Sequence, residues 1–334
     1  MIFCSKIPHT LGMATAAFAL AATLTPSVQA EGYPKKPVTI IAAYGPGGAS
    51  DMATRTIAAN APNYLQQGVL VVNKTGAGGT VGSIYAYKAR PDGYTLLLAR
   101  VATHAVSPAM KTLPYKPMDF TIIGLLEKNP FVCATSVKRP YKSLADLLAA
   151  IKANPGKVTY SSAGVGTLLQ VAAVMMIDEA GIPNAQTAAV HVPYKGGGAA
   201  ALAVLKNEVD FVCTNLSALI GHIQGGRLRA LFTTMPKRLK ELPDVPTARE
   251  LGYPGLEVAV GWSALVGPPN MDKKATAVWV DVLAKLKTDK SWNKMTQKLG
   301  SIPNILSPDE TKKFIEYSYN KMNALVTKLD MKIK

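Results

Sequence analysis

The chain has 334 residues, of which 48% are hydrophobic and 17% are charged, a balance typical of a folded globular protein and not of a disordered one. Its length allows about two domains with complete cores. The formal net charge of +16 favours anionic partners, but the basic residues are scattered and accompany no recognition motif. A small organic anion is therefore a better candidate partner than nucleic acid.

The first 30 residues predict a cleavable secretory signal. Lys6 precedes an apolar stretch from Leu11 to Leu24, and small residues stand at the end of Val28-Gln29-Ala30, where a signal peptidase cleaves. An uncleaved membrane anchor is the alternative, but this apolar core is shorter than the ~18 residues that span a bilayer. Cleavage near Ala30 removes one basic residue and no acidic one, so +16 less one leaves +15. We expect a periplasmic protein.

The stretch from Ile40 to Asp51 joins a predicted strand to a predicted helix. The apolar run of residues 38–43 stops at Tyr44, and the Gly-Pro-Gly-Gly sequence of residues 45–48 forces a tight turn. Ser50 and Asp51 then stand where a helix N-cap is expected. A glycine-rich helix start presents backbone N–H groups at the positive end of the helix dipole, which suits an anion. A simple strand-to-helix turn is the alternative.

The same strand, glycine-rich loop and helix pattern recurs twice. Residues 69–73, 74–82 and 83–88 repeat it in the first half of the chain, and residues 158–161, 162–167 and 168–180 repeat it in the second half. The spacing Gly76-x-Gly78-x-x-x-Gly82 loosely resembles a dinucleotide fingerprint, which would indicate a dehydrogenase. An exported protein meets little nicotinamide cofactor, so we expect no cofactor. The recurrence instead predicts that three helix starts surround one cleft.

A third predicted strand, residues 94–99, leads directly to Arg100. Open α/β sheets bind ligands at the carboxyl ends of their strands, so Arg100 is a candidate ligand contact, with a solvated arginine as the alternative. His104 follows closely and is either a hydrogen-bonded structural histidine or a ligand contact.

Alternating strands and helices along the whole chain predict an α/β protein with parallel sheets. Interruptions near residues 127–131 and 243–257 look like crossings between two lobes joined by a hinge. Residues 31–129 and 246–334 are predicted to form lobe 1, and residues 130–245 to form lobe 2.

Cys133 and Cys213 are the two cysteines that remain after export, each inside an apolar run typical of a strand. Burial of this kind favours free thiols, although export also permits a disulfide.

Catalytic signatures are missing from the sequence. No acidic or cysteine cluster with metal spacing surrounds His104, His191 or His222, and neither a Gly-x-Ser-x-Gly elbow nor a His-Glu-x-x-His motif occurs. We therefore expect neither an enzyme nor a metal site, with an exported hydrolase as the alternative of a different class, since a triad can assemble from distant residues.

Six motifs occur in an order that resembles the Bug family of extracytoplasmic solute receptors, the binding components of tripartite tricarboxylate transporters. They are Tyr33-Pro34-x-x-Pro37, Gly45-Pro46-Gly47-Gly48-x-x-Asp51, Asn73-Lys74-x-Gly76-Ala77-Gly78-Gly79, Pro91-Asp92-Gly93-Tyr94-Thr95, Val192-Pro193-Tyr194-Lys195-Gly196 and Leu242-Pro243-Asp244-Val245-Pro246-Thr247-x-x-Glu250-x-Gly252. The resemblance extends from Tyr33 to the last predicted helix.

This resemblance implies a monomeric type II periplasmic binding protein that closes its two lobes on a carboxylated solute and delivers it to membrane components. The contacts that it implies in lobe 1 are Tyr44, Gly47, Gly48, Ser50, Asp51, Thr103 and His104. Those that it implies in lobe 2 are Ser162, Gly164, Thr167, Tyr194, Asn215 and Ser217.

The chain also departs from the family pattern. Arg100 stands where such receptors usually have a small residue, Thr167 and Gln170 stand where a serine and a histidine are frequent, and Tyr44 replaces the commoner phenylalanine. Because an arginine can hold a carboxylate with two hydrogen bonds, we expect a dicarboxylate, and more specifically an aromatic one such as a phthalate isomer packed on Tyr44 and Tyr194. A C4–C6 aliphatic acid, an amino acid or a nicotinamide-like solute is the alternative.

Overall fold

The computed structural model describes residues 32–333, so the predicted signal segment and its cleavage site lie outside the described residues. Within that range, no helix combines the length and the apolar character needed to cross a bilayer.

Two β-sheets and eleven α-helices form the fold of residues 32–333. The strands are β1 (Val38–Ala42), β2 (Val69–Asn73), β3 (Thr95–Arg100), β4 (Thr121–Asn129), β5 (Phe131–Ser136), β6 (Thr159–Ser162), β7 (Val190–Pro193), β8 (Phe211–Asn215), β9 (Leu228–Thr233), β10 (Gly261–Gly267) and β11 (Ile302–Leu306). The helices are α1 (Ala49–Asn60), α2 (Pro62–Leu65), α3 (Thr80–Tyr87), α4 (Ser107–Met110), α5 (Leu144–Ala153), α6 (Leu168–Glu179), α7 (Gly197–Leu205), α8 (Ile220–Gln224), α9 (Lys273–Leu286), α10 (Lys290–Lys298) and α11 (Pro308–Lys328).

The two sheets repeat one strand order. The first sheet runs β11-β4-β10-β3-β1-β2 and the second runs β7-β6-β8-β5-β9. In each sheet a central strand, β1 or β6, pairs in parallel with the next strand of the chain on one side and with a later strand, β3 or β8, on the other. The order in which the chain adds strands therefore reverses at β1 in one sheet and at β6 in the other. Such a switch point leaves a crevice beyond the carboxyl end of the strand, where α/β proteins bind ligands.

The predicted parallel pairing is present in both sheets, but each sheet also contains antiparallel pairs. Strand β10 runs antiparallel to β3 and β4, and β5 runs antiparallel to β8 and β9. Each of these two strands follows a crossing from the other sheet and therefore enters its own sheet from the opposite end. Alternation of strands and helices does not reveal that reversal.

The first crossing is shorter than expected. Strand β4 continues through Asn129, and Pro130 alone separates it from β5. Since proline has no backbone N–H, it cannot continue a ladder, and the chain changes sheets at this residue.

Helix α1 begins earlier than the sequence indicates. Gly48 is its N-cap and has no side-chain capping bond, so Ser50 and Asp51 lie within the first turn. The predicted N-cap role of these two residues is therefore wrong. Gly48 adopts the extended backbone of an N-cap, with φ −94° and ψ 169°, and the helix starts one residue later.

The expectation of free thiols is also wrong, since Cys133 and Cys213 form a disulfide. Strands β5 and β8 are antiparallel and place these two residues directly opposite each other, with 4.0 Å between their Cα atoms. Only the register of this strand pair brings the sulfur atoms together, and the register depends on residues 80 positions apart.

Candidate functional site

A small cavity of about 40 Å³ lies where the carboxyl ends of the parallel strands of the two sheets meet. Its walls come from the loops after β1, β3, β6 and β7, from the end of β8 and from the start of β5. The lining residues are Tyr44, Gly48, Ala49, Ser50, Arg100, Val101, Ala102, Phe131, Ala163, Thr167, Leu168, Leu169, Gly197, Thr214 and Asn215. Both topological switch points of the fold therefore open on one space.

Three helix starts meet at this cavity. Helices α1, α6 and α7 have Gly48, Thr167 and Gly196 as N-caps, and none of the three receives a capping bond from a side chain. The first backbone N–H groups of a helix have no partner within the helix, and they carry the positive end of its dipole. The arrangement suits an anionic group placed among the three helix ends.

The loops of the two sheets touch through their backbones on one side of the cavity. Gly45 N donates a hydrogen bond of 2.9 Å to Lys195 O. A Cβ added to Gly198 would lie 2.7 Å from the carbonyl carbon of Gly47 and from Pro46 O, which is closer than non-bonded atoms approach. Glycine at this position is therefore required for the two loops to meet.

An equivalent contact stands on the other side of the cavity. A Cβ on Gly78 would lie 2.6 Å from Val165 O, and one on Gly164 would lie 3.1 Å from the Cα of Gly78. In each contact the loop after a central strand of one sheet meets the loop after an edge strand of the other. The structure is therefore a closed conformation.

Arg100 ends strand β3 and borders the cavity with a buried guanidinium group. Its Nη1 donates to Asn129 Oδ1 at 2.8 Å and also to Ser263 Oγ. Its Nη2 donates to Asn215 Oδ1 at 3.0 Å, which connects the first sheet to the second. These contacts use both hydrogens of Nη1 and leave the Nε hydrogen and the second Nη2 hydrogen for another acceptor.

Burial lowers the pKa of Arg100, and the nearby Glu127 carboxylate opposes that change. An arginine begins so far above neutrality that it stays charged. The cavity therefore has a permanent cation on its wall.

Two polar side chains at the cavity have atoms without a hydrogen-bond partner. Ser50 Oγ and Asn215 Nδ2 are both buried and unpaired, and both residues line the cavity. Since an unpaired buried polar group costs about 1–3 kcal/mol, a solute that binds these atoms would recover part of that cost.

Six of the predicted contact residues line this cavity, namely Tyr44, Gly48, Ser50, Arg100, Thr167 and Asn215. Eight predicted residues do not line it, namely Gly47, Asp51, Thr103, His104, Ser162, Gly164, Tyr194 and Ser217.

Asp51 holds the glycine-rich loop in place. Its carboxylate accepts hydrogen bonds from Gly47 N, Asn73 Nδ2 and Arg55 Nε. Burial raises the pKa of Asp51, but the bonds from Arg55, Asn73 and Gly47 outweigh burial and hold that pKa below its usual value. The carboxylate thus stays ionised and supports the turn before α1.

Ser162 and Tyr194 also bind elsewhere. Ser162 Oγ contacts His191 Nε2 at 2.5 Å and accepts from Gly164 N at 3.0 Å. The hydroxyl group of Tyr194 donates to Glu208 Oε2 at 3.1 Å on the surface. Tyr194 is therefore not positioned to pack on a solute in the closed cavity.

His104 borders a different cavity of about 540 Å³, beside α11. Its Nδ1 contacts Thr103 Oγ1 at 3.0 Å, and its Nε2 is buried without a partner. Burial lowers the pKa of His104 to about 3, so the ring is neutral at ordinary pH. The interpretation of His104 as a structural histidine fits this environment.

Sequence reasoning did not place the start of α7 at the cavity, and it missed the apolar wall. The glycines of residues 196–198 carried the same signal as the other helix starts, yet the predicted third helix start was that of α3, which does not line the cavity. Phe131 and Leu168 belong to apolar runs that look like ordinary core. No local pattern distinguishes them from core residues.

Comparisons with known proteins show the family of the chain. Residues 53–331 match the family model described as the tripartite tricarboxylate transporter family receptor. The chain is 32% identical over 321 residues to protein BugT of Bordetella pertussis, an alignment that covers 95% of this chain and 96% of BugT.

Solved structures share the fold. The periplasmic binding protein BugD is 28% identical with a TM-score of 0.84, and the match covers 90% of this chain and 100% of BugD. MatC from Rhodopseudomonas palustris, determined with bound malate, is 24% identical with a TM-score of 0.82 and matches over 88% of this chain and 100% of MatC. The chain has the two-lobed fold of periplasmic binding proteins and belongs to the tripartite tricarboxylate transporter receptor family, whose members are solute-binding receptors and not enzymes.

Proposed function

We propose that the cavity between the two sheets binds a small carboxylated solute, which the protein delivers to the membrane components of a tripartite tricarboxylate transporter. The observation that carries this proposal is the meeting of three uncapped helix starts beside a buried arginine. Each helix end contributes only about 0.3–1 kcal/mol, whereas micromolar binding needs about 8 kcal/mol. Closure of both lobes around the solute supplies the rest.

Within the carboxylates, a dicarboxylate suits the site. One carboxylate can accept N–H groups at the helix starts, and the other can accept the remaining hydrogens of Arg100. No residue that lines the cavity is acidic, so the ammonium group of an amino acid would have no carboxylate partner there. A neutral nicotinamide-like solute would leave the helix ends without an anion.

The closed cavity favours a short aliphatic acid over an aromatic one. Its volume of about 40 Å³ is far below the roughly 300–1,000 Å³ of pockets for drug-sized ligands. Tyr44 lines it, but its hydroxyl group donates to Gly78 O at 2.7 Å, and Tyr194 lies away from it. A phthalate isomer would require a less closed arrangement of the lobes.

A thermal-shift panel tests the proposal on the mature protein. Malate, succinate, adipate and phthalate are compared with glutamate and nicotinamide at equal concentration. A solute at a hundredfold excess over its Kd stabilises the protein by about 2.7 kcal/mol. Stabilisation by nicotinamide but by none of the five carboxylates would contradict the proposal, and stabilisation by glutamate alone would contradict the argument against an ammonium group.

Calorimetry on Arg100→Ala with the most stabilising diacid then tests the arginine. We expect at least a tenfold loss of affinity, because the variant removes the guanidinium donors and leaves the buried Glu127 carboxylate without its cation beside the site. Unchanged affinity would show that Arg100 does not bind the solute.

Export by the predicted signal, the monomeric state and the lobe boundaries belong to the same proposal. Lobe 1 would comprise residues 31–129 and 246–334, and lobe 2 residues 130–245. This division is supported by the strands, since β1–β4, β10 and β11 share the first sheet and β5–β9 share the second. Light scattering after size exclusion measures the oligomeric state, and mass spectrometry of the secreted chain locates the cleavage site.

A further inference from the structure

A buried acid lies next to Arg100, outside the lining of the cavity. Glu127 is 3% exposed, and its Oε1 lies 3.8 Å from Arg100 Nη1. Only the arginine lines the cavity. A solute would therefore contact Arg100 directly, whereas Glu127 would act on the solute only by changing the electrostatic attraction of the arginine.

Hydrogen bonds hold the two charges together. Ser263 Oγ accepts from Arg100 Nη1 and donates to Glu127 Oε1 at 2.9 Å. Asn129 accepts from the same Nη1 through Oδ1, and its Nδ2 donates to Glu127 Oε1 at 3.1 Å. Asn129 Nδ2 also donates to Ser301 Oγ at 2.6 Å. A buried ion pair is tolerated when bonds of this kind satisfy its polar atoms.

This network changes the charge that the cavity presents. Interactions between charges are stronger inside a protein than in water, so an acid 3.8 Å from the guanidinium offsets much of its attraction for an anion. Burial keeps water from screening either charge. The Arg100 side of the cavity thus presents hydrogen-bond donors with little net charge, while the positive ends of the three helices face the other walls.

We infer that Glu127 is a specificity-determining residue that acts through Arg100. Glu127 offsets the positive charge of Arg100. The Arg100 side of the cavity can therefore accept either a carboxylate or a neutral acceptor of the same shape, such as a carboxamide. Only one carboxylate of the solute is then strictly required, at the helix starts. This inference rests on the proposed binding of a carboxylated solute and names the end group that the site tolerates.

Matched ligand pairs test it by calorimetry. Succinate, glutarate and adipate are each compared with their monoamides, which replace one carboxylate by an isosteric carboxamide. In the wild-type protein we expect the diacid and its monoamide to differ by less than about fivefold in Kd. In Glu127→Gln the preference for the diacid should increase at least tenfold, because the arginine is no longer offset.

Two further variants control for folding and for long-range charge. Arg100→Met combined with Glu127→Gln removes both charges and leaves no unpaired ion, and it should keep the wild-type preference within about threefold. Glu316→Gln removes an exposed acid elsewhere and should leave the preference unchanged.

The outcomes are separable. A diacid preference that stays within twofold of wild type in folded Glu127→Gln overturns the inference. If that variant does not fold, a tenfold loss of diacid preference in the double variant overturns it, since Arg100 would then have acted as a full cation. Failure of these three diacids and of every carboxylate in the thermal-shift panel to bind the wild-type protein would instead reject the proposed function, and the inference with it.

Discussion

The long helices of this protein begin in two different ways. Of the seven helices with nine or more residues in the described range 32–333, four begin with a side-chain cap and three do not. The capped helices are α5, α9, α10 and α11, with Ser143, Asp272, Asp289 and Ser307 as caps. The uncapped helices are α1, α6 and α7, and all three begin at the cavity.

This difference supports the proposed role of the cavity. A side-chain cap is worth about 1 kcal/mol to a helix, and among these seven described helices it is missing from the three that begin at the cavity. The same N–H groups that a serine or aspartate satisfies elsewhere remain for an anion here. Variants at both kinds of helix start can test that division.

The contact between the loop after β1 and the start of α7 depends on Gly198, and Gly198→Ala should prevent closure of the lobes at this contact. The added Cβ would meet backbone atoms of the opposite loop at 2.7 Å, and backbone cannot move aside as a flexible side chain can. We expect at least a hundredfold loss of affinity for the preferred diacid, about 2.7 kcal/mol, measured by calorimetry. Gly221→Ala is the control, since nothing lies within 4 Å of its Cβ. Equal affinities for the two variants would contradict a closed binding state.

Installing a cap at the cavity should block the site. Thr167→Asp places a carboxylate at the start of α6, where it can accept the first N–H groups and repel an anionic solute. We expect roughly thirtyfold weaker binding, together with a small loss of stability in urea, because a carboxylate cannot replace the hydrogen bond that the Thr167 hydroxyl group donates to Gly164 O at 2.7 Å. Thr167→Ser keeps this hydroxyl group and should change neither quantity much. A Thr167→Asp variant that binds the diacid normally would exclude α6 as an anion contact.

His104 provides a buried polar group outside the cavity. Because its native pKa is about 3 and its unfolded pKa is about 6.5, the unfolded chain binds a proton that the native chain does not. Its contribution is complete above pH 6.5 and is lost as the pH falls, by about 2 kcal/mol between pH 7 and pH 5.

His104→Asn should abolish the part of the acid-induced loss of stability that comes from His104, because the asparagine side chain does not bind a proton in this pH range. Urea unfolding at pH 7 and pH 5 gives the change in unfolding free energy with pH for the wild type and for the variant. Subtracting one change from the other cancels the contributions of the other histidines. Diacid affinity should stay within twofold of wild type. Parallel pH dependence in the two proteins would refute the neutral assignment of His104.

A helix N-cap away from the cavity should affect stability alone. Asp272 Oδ1 accepts from Ala275 N at 2.8 Å at the start of α9, and Asp272→Ala removes this bond. We expect a loss of about 1 kcal/mol in the free energy of unfolding with unchanged diacid affinity. A change in affinity would break the distinction between the two kinds of helix start.

Much of this organisation could be predicted because it is local. The alternation of apolar runs, glycine-rich turns and amphipathic helices depends on residues a few positions apart, and it indicated most strands and helices within a few residues. The capping box that Ser143 forms with Asp146 at the start of α5 is likewise local, because its two residues are three positions apart. Six ordered motifs also identified the family correctly.

Features that depend on distant residues could not be predicted in the same way. The third helix start at the cavity is that of α7 and not of α3, because loops from the two sheets meet only after folding. The disulfide follows from the register between β5 and β8. In addition, β5 and β10 run antiparallel because the chain crosses between the sheets twice.

Arg100 has both a property that is local and properties that depend on distant residues. Local sequence is enough to indicate that an arginine ends a buried strand beside a candidate cleft. Its neighbours Glu127, Ser263 and Asn215 are known only from the folded structure. The physical reason is that a buried charge takes its properties from the groups packed around it, and packing brings those groups together from strands that lie far apart in the chain.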